Sequence, residues 1–535
     1  MNRFNIASID IDCQSESHRI LSLYTRYMLR KFRFGKYNHS IFKICPNYDN
    51  YYFHLNGLLL MAKKNLSSKR SNLNYPPTCC KEIDLIAKRF LLRKYKIKVC
   101  YNSKIKLKNN IGNKNYRLRI YSFMRDVIFD LRPRGSNNSH NKKLFKLNNS
   151  QSNVLILSHD LLNSFEAYKN LPKKLTSFFK KKNMKTILIL PSNIGLTIFE
   201  KINYLNLFLE KLFKSYTISF LKLSDYHFII SELYNQIYKK KLKSFFLRKK
   251  ILFIVCSYID SRYEPIYYEA AKELNIKYYT YDYSLGYPFG KIDSLRYLPD
   301  TRKFSDFIFA NSNFRREQYK IATSFLDNPP IILPNICPQS DYSKNVEKLE
   351  KFNSKEFKIG IVDNAFNDDY AINYEDISSL IKVLTETDLE IKFILQSKRG
   401  FLEKEFIRLN SKNYSSGVKG NLSKLNKSDL IISIGWQSAA LKAASLFKKP
   451  LIFYNKLDFP YEKNLFSLDK ERNQIIKKYS KKLWLNEKNI FYKLSKIIKD
   501  KREFISLLND SSILLSEIGF YEKKIEDYFN NYFKD

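Results

Sequence analysis

The stretch 429–455, DLIISIGWQSAALKAASLFKKPLIFYN, carries the clearest fold signal in this 535-residue chain. An apolar strand, Leu430–Ser433, runs into a tight turn at Gly435; a helix then begins and a second strand, Leu451–Tyr454, comes after Lys448-Lys449-Pro450. Ser438 occupies the position expected of a helix N-cap. The unpaired amides of the first helical turn, reinforced by the positive end of the helix dipole, form an anion site suited to a diphosphate. Strand, turn, helix and strand in this order are the repeating unit of a doubly wound parallel sheet, in which ligands lie beyond the carboxyl ends of the strands. Gly435, Gln437 and Ser438 fall there.

Toward the N-terminus, the same alternation of short β-rich runs and amphipathic stretches begins near Asn153. Strands are expected at Val154–Ser158, Thr186–Leu190, Ile251–Cys256, Lys277–Tyr281 and Asp306–Ala310, with helices such as Ile198–Phe213 and Tyr263–Leu274 between them. A loop through Asn328-Pro329-Pro330 and Pro334–Ser343 leads to a second set. It contains strand Lys358–Val362, helix Tyr374–Thr385, strand Glu390–Leu395, helix Leu402–Asn410 and then the opening stretch. The expected class is α/β, with two Rossmann-like domains facing a cleft, a basic N-terminal extension and C-terminal helices. In residues this is 1–150 for the extension, 151–340 for the first domain, 341–485 for the second and 486–535 for the helices. That tail, as Glu487–Asn509 and Ser511–Phe533, is expected to pack back across the cleft. Residues 1–150 carry no legible chemistry.

Ninety-four Lys and Arg against 52 Asp and Glu give a net charge of +42, which points to an anionic partner. The excess is mostly lysine and travels with abundant Asn, Ile, Tyr and Phe, so codon composition accounts for much of it. Runs such as Lys180-Lys181-Lys182, Lys239-Lys240-Lys241 and Arg248-Lys249-Lys250 are either solvated faces or contacts with an anionic membrane. No RNA- or DNA-binding signature is present, so no specific nucleic acid is expected. Seven cysteines without repeated C-x-x-C spacing suggest neither a disulfide framework nor a zinc ribbon. No apolar run approaches the ~20 residues that cross a bilayer. The start, MNRFNIASIDID, lacks the apolar segment of a signal peptide. The expected location is cytoplasmic, with peripheral contact at the inner face of the plasma membrane.

The second half resembles the bacterial surface-polysaccharide biosynthesis proteins that carry a PFTS motif before an Ala-rich helix and a G-K-P-x-x-Y-Y strand. Here that segment is IGWQSAALKAASLFKKPLIFY. Ser438 matches the motif serine, while Gly435, Trp436 and Gln437 stand for Pro, Phe and Thr. The family's basic turn K-P-K-R is matched by Gln396-Ser397-Lys398-Arg399, and its aromatic-Tyr-Ser segment by Tyr281-Asp282-Tyr283-Ser284. The resemblance covers about 150–460 and implies a GT-B glycosyltransferase architecture. It also implies a nucleotide-sugar donor and a glycan or lipid-linked acceptor, with no metal and no further cofactor. One departure stands out: many GT-B enzymes place a donor-binding Glu on the helix after the Gly turn, where this chain has Lys442. An ammonium cannot accept the ribose hydroxyl protons, although it can pair with phosphate.

Transfer from such a donor requires charge stabilisation on the leaving diphosphate and, with inversion, a base for the acceptor hydroxyl. Lys398, Arg399, Lys442 and the amides at Gln437 and Ser438 suit the first role. For the second, His159-Asp160 ends the first strand of the first domain, and a neutral imidazole is matched to the task. Asp260, Glu264 and Asp282 are rivals on the same edge. Tyr283 and Ser284 are placed to meet an acceptor, although an ordinary β–α loop explains them equally well. The pair Asp10 and Asp12 has metal-ligand spacing but precedes both α/β domains. Two further readings use the same features: a nucleotide-sugar epimerase of the same double-domain shape, and a non-enzymatic nucleic-acid binder resting on charge alone.

Overall fold

The computed structural model describes residues 11–31, 48–68, 70–78, 80–102, 153–157, 166–189, 194, 196–214, 223–256, 264–282, 305–310, 312–323, 328–334, 357–363, 374–385, 391–397, 400–408, 414–416, 422–455, 470–519 and 526–529. Helices α1 (Ile11–Lys31), α2 (Tyr48–Ser67) and α3 (Lys81–Tyr95) pack together with a short parallel pair, β1 (Asn72–Tyr75) and β2 (Lys98–Tyr101). Their apolar stripes, including Ile20, Tyr24, Leu55, Leu59, Ile83 and Leu91, form one buried cluster. That cluster continues into Tyr204, Ile229, Leu233 and Ile237 of helices α5 and α6, given below, so the N-terminal unit is docked on the first α/β domain.

The first large sheet consists of β3 (Asn153–Leu157), β4 (Lys185–Ile189), β5 (Ile251–Cys256), β6 (Lys277–Asp282), β7 (Phe307–Ala310) and β8 (Ile331–Pro334), in spatial order β4-β3-β5-β6-β7-β8, all parallel. The described helices of this part are α4 (Glu166–Lys181), α5 (Ile198–Lys214), α6 (Leu223–Arg248), α7 (Glu264–Lys272) and α8 (Asn313–Thr323). Every residue of β3 is buried, as a parallel strand covered on both faces requires. Leu155 and Leu157 meet Tyr238, Phe245 and Tyr267 on one face, while Val154 and Ile156 meet Leu175 and Phe179 on the other. Ile331–Pro334, read from sequence as part of a proline-punctuated loop, is the edge strand β8. An edge position tolerates Pro334 because one side of the strand makes no ladder bonds.

The second sheet contains β9 (Phe357–Val362), β10 (Ile391–Gln396), β11 (Tyr414–Ser416), β12 (Leu430–Ile434), β13 (Leu451–Tyr454) and β14 (Trp484–Leu485), in order β11-β10-β9-β12-β13-β14, again all parallel. Numbered within the sheet this is 3-2-1-4-5-6, the doubly wound dinucleotide-binding order. Its helices are α9 (Tyr374–Thr385), α10 (Phe401–Arg408), α11 (Ser438–Phe447), α12 (Lys470–Lys482), α13 (Ile490–Lys499) and α14 (Lys501–Ile518). Gly360 lies mid-strand in β9 because a Cβ there would approach Leu425 Cδ2 to 2.8 Å.

The tail breaks elsewhere than expected. The Asp500 carboxylate caps α14 by accepting from Arg502 N at 2.8 Å, and Gly519 ends that helix at φ +65°. Helix α14 covers the second sheet, and Gly519 O accepts from Asn313 N of α8 at 2.8 Å. Phe314 of α8 is buried among Trp436, Leu514 and Ile518 of the second domain, and Glu317 pairs with Arg472 of α12. The chain then returns to the first sheet as α15 (Glu526–Phe529), where Phe529 stacks on Phe253 at 5.2 Å and touches Phe179, Tyr279 and Phe309. The architecture is α/β with two Rossmann-like domains.

Candidate functional site

In the second sheet the winding reverses between β9 and β12, so the carboxyl ends of those two strands mark the place where a doubly wound sheet opens to ligand. Beyond β12 the chain turns, and its own polar groups hold the turn. Gly435 takes φ +65°, a conformation that costs a Cβ-bearing residue ~1–2 kcal/mol. Its amide donates to Tyr454 O of β13 at 2.7 Å. The Ser433 hydroxyl donates to Gly435 O at 2.7 Å and accepts from Gln437 N at 3.2 Å. Trp436, buried, stacks on Phe453 of β13 at 5.0 Å.

Helix α11 starts one residue earlier than the sequence suggests. Gln437, not Ser438, is the N-cap, with extended backbone angles, and no side chain caps the helix. The Gln437 amide instead turns back, its Nε2 donating to Ile434 O at 2.9 Å. The physical reason is Ser433: its hydroxyl already engages the Gln437 backbone amide, which fixes the turn without a side-chain cap. Ser438 is then the first helical residue, half-buried, with Lys442 half-buried one turn further on. The positive end of α11 therefore lies at the sheet's ligand side, and the N-cap side chain makes no capping hydrogen bond there.

Beside this turn sit two residues that sequence reasoning missed. Asp363 and Ser397 directly follow the neighbouring strands β9 and β10. Ser397 Oγ donates to Asp363 Oδ2 at 2.6 Å, and both are buried. Gln396, the last residue of β10, is buried with its Oε1 unsatisfied among the described residues. The signal was present in the sequence: an Asp immediately after the first strand of a doubly wound unit. The adjacent cations Lys398 and Arg399 masked it.

In the first sheet the reversal lies between β3 and β5. His159, Asp160 and Asp260 come after the ends of those strands in sequence; with Tyr283, Ser284, Lys398 and Arg399 they lie outside the described residues, as do Asp10 and the side chains of Asp12 and Glu264. Asp282 is described, and its setting is that of a structural anchor. It is buried at the end of β6, with Oδ2 accepting from Arg315 Nε at 2.8 Å and from the Tyr319 hydroxyl. A carboxylate neutralised by a buried guanidinium is a poor proton acceptor. Asp282 is accordingly withdrawn as a base; it fixes α8 to the sheet. Among the described residues no three His, Cys, Asp or Glu side chains gather as metal ligands, and no helix is long and apolar enough to cross a membrane.

No family model matches the chain, and a search of curated proteins finds no relative. Among solved structures it is similar to S. aureus MnaA in a co-structure with UDP, at 10% identity over 71% of this chain and 97% of that one, with a TM-score of 0.41. It is also similar to Anabaena HepE in complex with UDP and glucose, at 10% identity over 69% and 95%, TM-score 0.38. Acinetobacter baumannii MurG is matched at 10% identity over 69% and 99%, TM-score 0.36. Likeness at this level carries no argument about activity, and the fold class stands on the strand orders themselves.

Proposed function

We propose that this chain is a GT-B-type glycosyltransferase that uses a nucleotide sugar in bacterial surface polysaccharide or lipopolysaccharide biosynthesis. The observation that carries the reading is the uncapped start of α11 after the positive-φ turn at Gly435, at the switch point of a 3-2-1-4-5-6 sheet. Backbone amides and the helix dipole there favour a diphosphate. Lys442, Lys398 and Arg399 are assigned to the leaving phosphate charge and Asp363 to hydroxyls of the donor. His159 is assigned as base toward a glycan or lipid-linked acceptor, with Asp260 as rival; Tyr283 and Ser284 are assigned to the acceptor. No metal or further cofactor is required by this scheme.

Thermal-shift titration with UDP-, GDP-, CMP- and dTDP-sugars tests it. A ligand at ~100 times its Kd stabilises by ~2.7 kcal/mol, several degrees of Tm. One nucleotide class should produce that shift and the others should not. Absence of response to every class overturns the reading. Conversion of the bound sugar nucleotide to its epimer without any acceptor would replace transferase by epimerase.

A further inference from the structure

One of the lysine runs that catch the eye in the sequence is already paired within its own domain. In the run 239–241, Lys239 pairs with Glu269 and Glu273, and Lys241 with Glu200; nearby Lys243 pairs with Glu273. Those lysines are neutralised by their own domain. The N-terminal helices are different. On α3, Leu85 and Leu92 are 55% and 48% exposed and lie two turns apart on one face, framed by exposed Lys88, Arg89 and Arg93. At 100° per residue, these five positions span less than half of the helix circumference. Helix α1 repeats the pattern: Leu23 and Tyr27, 41% and 46% exposed, are framed by exposed Arg19, Arg26 and Arg30.

None of these six cations forms an ion pair among the described residues, and neither exposed face carries a carboxylate between 19 and 31 or between 85 and 93. Two of the acids on these helices are turned inward, and half-buried Glu82 accepts from Cys80 Sγ before the exposed face of α3 begins. Glu16 is buried against Lys94 and Tyr95, which ties α1 to α3, and Asp84 is buried, accepting from Thr78 N at 2.9 Å. Scattered exposed leucines are ordinary on a soluble surface. Large apolar side chains exposed on two touching helices, Leu23 and Tyr27 framed by arginines and Leu85 and Leu92 by arginine and lysine, are the pattern of a helix face that lies in a lipid interface.

We propose that the outer faces of α1 and α3 form a docking surface for an anionic lipid bilayer, Leu23, Tyr27, Leu85 and Leu92 entering the headgroup boundary while Lys88, Arg89, Arg93 and the α1 arginines meet lipid phosphates. A nucleic acid would use the cations but leave the exposed leucines in water, since its phosphates and base edges offer them nothing. The surface deepens the membrane side of the proposed function and rests on that reading only for the location of an acceptor. The binding test requires no nucleotide, so its failure leaves the donor-site reading untouched.

The test is flotation of the full chain with vesicles of phosphatidylcholine alone and of phosphatidylcholine mixed with phosphatidylglycerol. Binding is expected only to the anionic vesicles and should fall steeply between ~0.1 M and ~1 M salt. Each basic residue at such a surface is worth ~5-fold in affinity, so Lys88→Glu with Arg89→Glu should lower it at least ~25-fold. Lys180→Glu with Lys181→Glu, the same charge change on α4, should have far less effect. Leu85→Gln with Leu92→Gln should remove the part of binding that survives high salt. If the glutamate pair misfolds by thermal melt, Lys88→Gln with Arg89→Gln takes its place. Failure of the wild-type chain to float with anionic vesicles overturns the proposal. So does equal loss from the α3 and α4 pairs, and so does binding to duplex RNA or DNA that the α3 pair abolishes while vesicles are ignored.

Discussion

At the scale of single residues, the geometry turns on Gly435, Ser433 and Gly360. Gly435→Val places a β-branched side chain at φ +65° and fills the space in front of the α11 amides; nucleotide-induced stabilisation should vanish while the unliganded protein still melts cooperatively, at a cost of ~1–3 kcal/mol. Unchanged nucleotide response in that variant would remove the turn from the donor site. Gly360→Val is the contrasting case. A Cβ 2.8 Å from Leu425 overpacks the central strand, so stability should fall by ~1–3 kcal/mol or more whether or not nucleotide is present, as a denaturant titration would read. For the base, His159→Ala should reduce kcat by ~10²–10⁴ with donor affinity kept, and near-normal turnover would shift the role to Asp260. The sequence made Gly435, Gln437 and Ser438 legible as a group, because a glycine between an apolar strand and an Ala-rich helix has few other readings. It could not assign the cap, since the choice between Gln437 and Ser438 depends on Ser433 reaching across the turn. Nor could it see that Asp282 is paired with Arg315 and accepts from the Tyr319 hydroxyl, more than thirty positions away.

At the scale of elements, strands were easier to read than the contacts between helices. Continuous Ile, Leu and Val runs announced β3, β5, β9 and β12 to within a residue or two, as buried parallel strands do. The N-terminal helices gave no such signal, because their apolar stripes are completed by α5 and α6, over a hundred residues later. The α6–α7 contact supplies a further prediction. Glu232 of α6 is fully buried and pushed up to about 7 by desolvation. Glu269 of α7 is pushed up to about 8, by desolvation first, with Glu232 and Glu273 adding to it against the opposing pull of Lys239. Both folded values lie above the ordinary 4.5, so protonation favours the folded state: the stabilisation is complete below that value and is lost as pH rises through 7 to 8. Glu200 and Glu273, lowered by partners that include Lys241 and by Lys239 and Lys243 respectively, act oppositely and only at the acid end. Tm should therefore decline as pH rises from 4.5 to about 8, the window those raised values set. Glu232→Gln should flatten the decline and stabilise the protein at its alkaline end by ~1–3 kcal/mol. A melting profile with the same slope in wild type and variant would dismiss the buried carboxylate as its cause.

At the scale of the whole molecule, the stretch from α14 to α15 ties the two sheets together, packing first on the second sheet and then on the first. Replacing Phe529 by alanine should cost ~3–5 kcal/mol, because the ring fills an aromatic slot made by Phe179, Phe253, Tyr279 and Phe309. The loss should appear in a denaturant titration as weakened protection of β3 and β5 amides, far from position 529 in sequence. Full amide protection of those strands in the variant would mean that the slot closes without the ring. This slot also sets an order of events during synthesis. Domains ordinarily fold as they emerge from the ribosome, the N-terminal one first. Here the first sheet's aromatic slot has to wait, open and adhesive, until Phe529 has been added, more than two hundred residues after the strands that line it. A ribosome that stalls between the codons of Gly519 and Phe529, or a nonsense mutation there, would leave a chain with both sheets encoded and every proposed site residue in place, yet with a hydrophobic socket open for chaperones or aggregation to find.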